Sequence, residues 1–140
     1  MTGNITFTIV KPDAVRKNNT EQIFEMIKSA GFEVLGRKDV MLTREQAEDF
    51  YAVHKGQPFY PGLVDFMTSG PIVVAALKKD SAVDSFRATI GSTNPQQAAE
   101  GTIRKAFGES ISSNAIHGSD SDENAKREIR FFFDEVEVAF

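Results

Sequence analysis

The sequence predicts an α/β (α+β) sandwich in which an antiparallel sheet is covered by helices, and three observations carry that expectation. Ile5-Thr6-Phe7-Thr8-Ile9 alternates apolar and polar positions with β-branched residues, as a strand does. Pro71 to Leu77 (PIVVAAL) is a near-continuous apolar run that suits a central strand buried on both faces. Between them, Ile23, Ile27 and Ala30 recur at helical spacing.

The elements follow in order. The first strand ends at Lys11-Pro12-Asp13, because proline cannot continue a ladder, and this leaves Lys11 at the strand's C-terminal edge. A helix follows Thr20 and stops at Gly31, in the left-handed position that helix ends favour. Phe32 to Leu42 reads as the second strand. Thr43-Arg44-Glu45-Gln46 reads as a capping box that opens a helix carrying Ala47, Phe50, Tyr51 and His54. Gly56 to Gly70 is a loop with a short helix around Leu63, Val64, Phe66 and Met67. After the central strand, Ser81 to Ile90 is helical with Gly91 stopping it, and Ser92 to Phe107 is loop with a helical turn. Asn114-Ala115-Ile116 is short and finishes the sheet. In the last helix Asp120 is the expected cap, Glu123 its capping-box answer, and Ala125, Ile129 and Phe132 mark an apolar face. The total is a ferredoxin-like βαββαβ core of four antiparallel strands with extra helices and a C-terminal helix. Residues 1–140 read as a single domain.

Composition narrows the function. The chain has 16 basic and 20 acidic residues, a net charge of −4 and no basic run, so a stable nucleic-acid complex is not expected. No apolar run approaches the roughly 18 residues that a membrane span needs, and MTGNITFTIV has neither a basic n-region nor a cleavage site. The expectation is a cytoplasmic protein without a membrane partner. With 0 cysteines, thiolate metal sites and cysteine nucleophiles are excluded.

His117 stands out among the 2 histidines. An arbitrary histidine is usually a partly buried residue satisfied by nearby hydroxyls. Here Gly118 permits a tight turn, Ser119 offers a hydroxyl, and the helix starting near Asp120 presents amides to an anion. Glu128, a little over two turns into that helix, leans back toward its N-terminus and can orient the imidazole. That is the layout of an activated nucleophile, and a neutral ring nitrogen suits attack on phosphorus.

Val10-Lys11-Pro12-Asp13, Ser69-Gly70-Pro71, Gly91-Ser92-Thr93-Asn94-Pro95, Gly101-Thr102-Ile103-Arg104 and the stretch from Asn114 to Ser121 (NAIHGSDS) together resemble nucleoside diphosphate kinases, in the family's order and spacing over essentially the whole chain. The resemblance implies a phosphotransferase that moves the γ-phosphoryl group of a nucleoside triphosphate to a nucleoside diphosphate by a ping-pong route through phospho-His117. It implies Mg²⁺ arriving with ATP or another triphosphate, held mainly by the nucleotide phosphates rather than by a protein metal site. It also implies a homo-oligomer, hexameric or in some bacteria tetrameric. By the same resemblance Glu128 orients the histidine, Ser119 lies close to the transferred group and Tyr51 close to the histidine. Lys11 and Asn114 hold the ribose hydroxyls and the phosphate end, and Arg87, Thr93 and Arg104 contact phosphate. Phe59 stacks on the base, with Leu63 beside the nucleotide.

Each role has a physical basis. Arginine's planar fork suits phosphate oxygens, each charge-assisted bond being worth about 1.5 to 3 kcal/mol. An aromatic face tolerates every base, so broad base specificity follows, and the resemblance implies the same breadth toward the sugar. Taken singly, Phe59 reads as core, Arg87 as a solvated charge and Tyr51 as packing; only their joint occurrence lifts them. His54 reads as structural. Asp120, Asp122 and Glu123 read as a charged helix start, lacking EF-hand spacing. There is no GxxxxGK[ST], so phosphate binding falls to side chains. Glu21, Asn124 and Phe132 depart from the family's usual glycine, serine and tryptophan, and the tail beyond Phe133 is short, which bears on assembly rather than chemistry. The alternatives are a nucleotide-binding regulatory module without turnover and a phosphate-ester hydrolase.

Overall fold

A computed structural model describes residues 3–111 and 113–140. Four antiparallel strands, β1 (Ile5–Val10), β2 (Glu33–Val40), β3 (Ile72–Lys78) and β4 (Ile116–Gly118), pair in the order β2-β3-β1-β4. The helices are α1 (Pro12–Arg16), α2 (Thr20–Ser29), α3 (Arg44–Phe50), α4 (Tyr60–Met67), α5 (Ala82–Ile90), α6 (Ile103–Phe107) and α7 (Asp122–Phe132). The expected βαββαβ sandwich with extra helices is therefore observed.

Both faces of the sheet are covered, which explains why β3 is apolar from Ile72 to Leu77 and why even Thr6 and Thr8 of β1 are buried. Ile72, Val74 and Ala76 of β3, with Phe7 and Ile9 of β1, pack against Phe50, Val64, Met67 and Ile129 from α3, α4 and α7. Val73, Ala75 and Leu77 face the other way, onto Ile23, Phe24, Phe86 and Ile103 from α2, α5 and α6. At about 25 cal/mol per Å² of apolar surface removed from water, these two layers are the main source of stability. Among the described residues no helix is long and apolar enough to cross a membrane.

The punctuation largely follows the sequence. Gly31 (φ +97°) ends α2 and Gly91 (φ +91°) ends α5. The capping box is formed, with Gln46 N–H donating to Thr43 Oγ1 at 3.1 Å and Thr43 N–H to Gln46 Oε1 at 2.9 Å.

Four local expectations need correction. Lys11-Pro12-Asp13 does more than end β1: Pro12 takes the first position of α1, where its fixed φ fits and its missing N–H costs nothing. Five residues are too few to show a helical period. Helix α3 stops at Phe50, so Tyr51 is its C-cap and His54 lies in a 3-10 turn at Ala52–His54. The last strand is Ile116–Gly118 rather than residues 114–116, because Ala115 has φ +76° and interrupts the extended backbone. His117 thus stands in a strand, opposite Ile9, and not at the mouth of a turn.

The fourth concerns α7. Its cap is Ser121, whose Oγ accepts from Asn124 N–H at 3.1 Å, while Asp120 accepts from the Asn124 side-chain amide at 2.6 Å. Ser121 reaches the N3 amide from an extended backbone, one residue later than expected. Gly118 is required for closeness rather than for a turn: a Cβ there would lie 2.9 Å from the Phe86 ring and 3.0 Å from Ile90.

Candidate active site

Strand β4 carries His117 in the middle of its three residues, with the backbone held on one side by β1. Thr8 Oγ1 donates to the His117 carbonyl at 2.8 Å, which fixes the strand beyond its ladder bonds. The ring packs edge-on to Phe7 and Phe50, with centroids 6.2 and 6.3 Å away. Its side chain keeps 23% exposure, enough for one edge to be reached from solvent.

Helix α7 brings Glu128 to the other edge. Glu128 Oε1 lies 3.1 Å from His117 Nε2 and accepts from Ser119 Oγ at 2.6 Å. Ser119 is fully buried and itself accepts from Phe7 N–H at 3.3 Å, so its hydroxyl stands behind the carboxylate and holds it. Only 6% of Glu128 is exposed, and Arg127 Nη2 lies 3.7 Å from its other oxygen. A buried carboxylate with two donors on one oxygen is held in one orientation.

A cavity of about 330 Å³ opens on the free edge of His117. It collects Tyr51, Arg87, Thr93, Arg104, His117 and Glu128, of which Thr93, Arg104 and His117 come from three of the motifs read from the sequence. Lys11 and Asn114 join it through a short chain: Lys11 Nζ donates to Asn114 Oδ1 at 2.8 Å, and Asn114 Nδ2 donates to the Thr93 carbonyl at 3.0 Å. Phe59, 53% exposed at the start of α4, stands 5.3 Å from the His54 ring. Leu63 is half-buried one turn further along α4 and packs against the core.

The electrostatics favour an anion. Arg104 is buried and donates to the carbonyls of Gly91 (3.0 Å) and Ile116 (2.8 Å), so it also ties the α5 end to β4. Burial, reinforced by Arg87, lowers its pKa to about 10, and it stays cationic at neutral pH. Burial raises the Tyr51 hydroxyl, helped by the Glu128 charge, so the phenol remains protonated. Asp120 is held below the usual carboxylate range by the Asn124 amide and by the nearby Arg87 and His117. That carboxylate leaves the start of α7 less open to an anion than the sequence implies; the arginines and Lys11 carry the positive charge instead.

Lys11 gives a testable consequence. Burial, with Arg104 nearby, lowers its pKa to about 8, although Asp13 works in the opposite direction. In the free protein part of the Lys11 population is neutral at pH 8.5, and a bound phosphate favours the charged form. Nucleotide binding at pH 8.5 should therefore take up a fraction of a proton, with none from Lys11 at pH 6.5. Titration calorimetry in buffers of different ionisation heat measures this, and Lys11→Met should abolish the uptake.

The sequence reading passed over His54, Phe50, Val53, Asp120, Asn124 and Arg127 as cavity residues. For His54 the sequence signal is its spacing, three residues after Tyr51, and the structure stacks the two rings at 6.3 Å.

Comparison with known proteins identifies the family. A family model described as nucleoside diphosphate kinase matches residues 4–138. Proteins named nucleoside diphosphate kinase from Methylobacterium radiotolerans and Erythrobacter litoralis are 53% and 54% identical, over 96% and 95% of both chains respectively. Among solved structures, the Aquifex aeolicus nucleoside diphosphate kinase superposes with a TM-score of 0.94 at 40% identity, covering 97% of this chain and 99% of that one. A halophilic nucleoside diphosphate kinase from Halobacterium salinarum, in complex with CDP, gives 0.92 at 36% identity over 100% of this chain and 93% of that one. A matching family model, close relatives along nearly the full length and a superposable fold leave one assignment: the chain belongs to the nucleoside diphosphate kinase family.

Proposed function

We propose that the phosphotransfer characteristic of this family runs, in this chain, through His117 in two half-reactions. The observation that carries the proposal is the 3.1 Å contact between His117 Nε2 and Glu128 Oε1. With the Nε2 proton held by that carboxylate, Nδ1 carries the lone pair. Nδ1 attacks the γ-phosphorus of a nucleoside triphosphate, the bond from phosphorus to the bridging oxygen breaks, and the diphosphate leaves with that oxygen. The ring's positive charge is stabilised by Glu128. An oxygen of the terminal phosphate of a second nucleoside diphosphate then attacks phosphorus, and the N–P bond breaks to regenerate neutral imidazole.

The remaining residues bind and orient. Arg87, Arg104 and Thr93 are suited to the phosphate oxygens, and Lys11 with Asn114 to the ribose and phosphate end. Arginine and lysine offer charge to the γ-phosphoryl oxygens as charge spreads over them in the transition state. Mg²⁺ bound with the nucleotide neutralises phosphate charge. Asp120, the ionised carboxylate on the cavity wall, is the group suited to meet its hydration shell. The CDP held by the Halobacterium relative supports a nucleotide as ligand. We take the chain as one cytoplasmic domain acting as a homo-oligomer, hexamer or tetramer, which sedimentation equilibrium distinguishes.

The test uses triphosphate labelled at the γ-position with Mg²⁺. Acid-labile label on the protein, chased into an unrelated diphosphate, is the expected result. Release as free phosphate would mean a hydrolase, and no label a binding module. Phe59→Ala is expected to weaken all nucleotides by a similar ~1–3 kcal/mol, since stacking carries little base identity. Equilibrium titration with purine and pyrimidine diphosphates checks this; a large loss for one base alone would mean that hydrogen-bonding edges are read.

A further inference from the structure

One buried carboxylate is unused by this chemistry. Asp13 stands in the first turn of α1, where an acidic residue is ordinarily a surface complement to the helix dipole. Here it is 4% exposed. Its Oδ2 accepts from the Ala115 N–H at 3.1 Å, across 102 residues, and its Oδ1 has no partner among the described residues. Burying a carboxylate with one oxygen unpaired is costly, so the position needs a reason.

Ala115 supplies it. At φ +76° its backbone is in the left-handed region that a residue with a Cβ avoids, and the turn around it is closed by Ile116 N–H donating to the Asn114 carbonyl at 2.9 Å. Such strain persists only where surroundings over-determine it. The surroundings are the Lys11–Asp13 segment, which pins both peptide planes of Ala115. Asp13 takes the N–H of the plane before it, and Lys11 N–H donates to the carbonyl of the plane after it at 2.8 Å.

The turn is the joint between two parts of the site. On one side Asn114 meets Lys11 and Thr93; on the other, two residues on, His117 pairs with Ile9 and meets Glu128. A change of φ at Ala115 would swing one relative to the other. We propose that Asp13 is a positioning residue that holds Ala115 in its strained turn and so fixes Asn114 relative to His117. This rests on the reading of His117 as the nucleophile.

The decisive experiment is a double-variant cycle on the full chain, measuring phosphoenzyme formation from saturating Mg-ATP per folded molecule, well below each variant's Tm. Asp13→Ala should slow the step about tenfold, within the hundredfold that a misplacement of about 1 Å can cost. Glycine reaches positive φ without a Cβ penalty, so Ala115→Gly introduced into Asp13→Ala should restore most of the rate. Losses that multiply independently, with Ala115→Gly alone as the reference, would overturn the proposal. A role in stability alone would lower Tm without altering the rate per folded molecule, and would also overturn it. If Asp13→Ala does not fold, Asp13→Asn carries the test. Its amide oxygen can accept the same N–H, so a rate close to the unsubstituted chain is expected, and a tenfold loss would show that the hydrogen bond is not what matters. Absence of label on His117 in the unsubstituted chain would fail the nucleophile reading instead, which keeps the two outcomes apart.

Discussion

His117→Ala should fold and transfer no phosphoryl group, a loss of at least about 10⁴-fold on the scale seen when a nucleophile is removed. Folding should survive because β4 is held by backbone: its ladder to Thr8–Val10 and the Thr8 hydroxyl on the residue-117 carbonyl do not involve the imidazole. The substitution does strip one partner from the buried Glu128, leaving Ser119 as its remaining close hydrogen-bond donor, so a stability loss of about 1–3 kcal/mol is expected. Thermal unfolding measures the second effect, and acid-labile label the first. The only competing imidazole lies in the same cavity, at His54. Peptide mapping of the labelled protein therefore matters: label on the peptide containing residue 54, or full label in His117→Ala, would remove the mechanism.

The parts of this architecture that the sequence announces are those set by local chemistry or by long apolar patterns. Residues 72–77 suit a strand buried on both faces and form one, and Gly31, Gly91 and the Thr43–Gln46 box act within one turn of themselves. What stayed hidden depends on partners far along the chain. Ala115 gives no sign of a positive φ, since alanine avoids it; the conformation comes from Lys11 and Asp13, 102 residues from it in the case of Asp13. The end of β4 shifted for that reason, and His117 moved with it from a turn to a strand. Likewise Asp120 and Ser121 both qualify as caps by residue type, and the choice between them is made by which side chain the Asn124 N–H can reach.

The site was legible in a different sense. Helix spacing links residue 128 to residue 117; only family resemblance gathers residues 11, 51, 87 and 104 with them, and the fold supplies the reason by bringing 51, 87, 104, 117 and 128 to one cavity and Lys11 to its edge through Asn114. Ser119 shows what the structure adds to such transfer. The resemblance puts its hydroxyl close to the transferred group, and in the structure that hydroxyl is buried and donates to Glu128 at 2.6 Å. Residue type fixes which bonds a side chain can make, and packing decides which of them it makes.

Glu128→Gln is the prediction that separates charge from geometry at this site. The glutamine side chain has the same shape, so the α7 helix and the cavity should be unchanged and nucleotide binding nearly intact. The hydrogen bonds cannot all be kept, however. Glu128 receives the Ser119 hydroxyl and faces Nε2 on one oxygen, and faces Arg127 at 3.7 Å on the other. An amide must present its NH₂ to one of these. Turned toward Arg127, it sets donor against cation; turned inward, it donates to Nε2 and stabilises the tautomer whose lone pair points away from phosphorus. In either orientation the negative charge that offsets the developing imidazolium is gone. We expect phosphorylation to slow by about ten- to a hundredfold, equivalent to roughly 1.4 to 2.7 kcal/mol of transition-state stabilisation. The same imidazole is nucleophile in one half-reaction and leaving group in the other, so discharge to a nucleoside diphosphate should slow as well. Rapid-quench measurement of phosphoenzyme formation and discharge, each started from the purified species, resolves the two steps. Unchanged rates in both directions would mean that Glu128 does not act on His117 at all, and the imidazole would need another group to fix its tautomer.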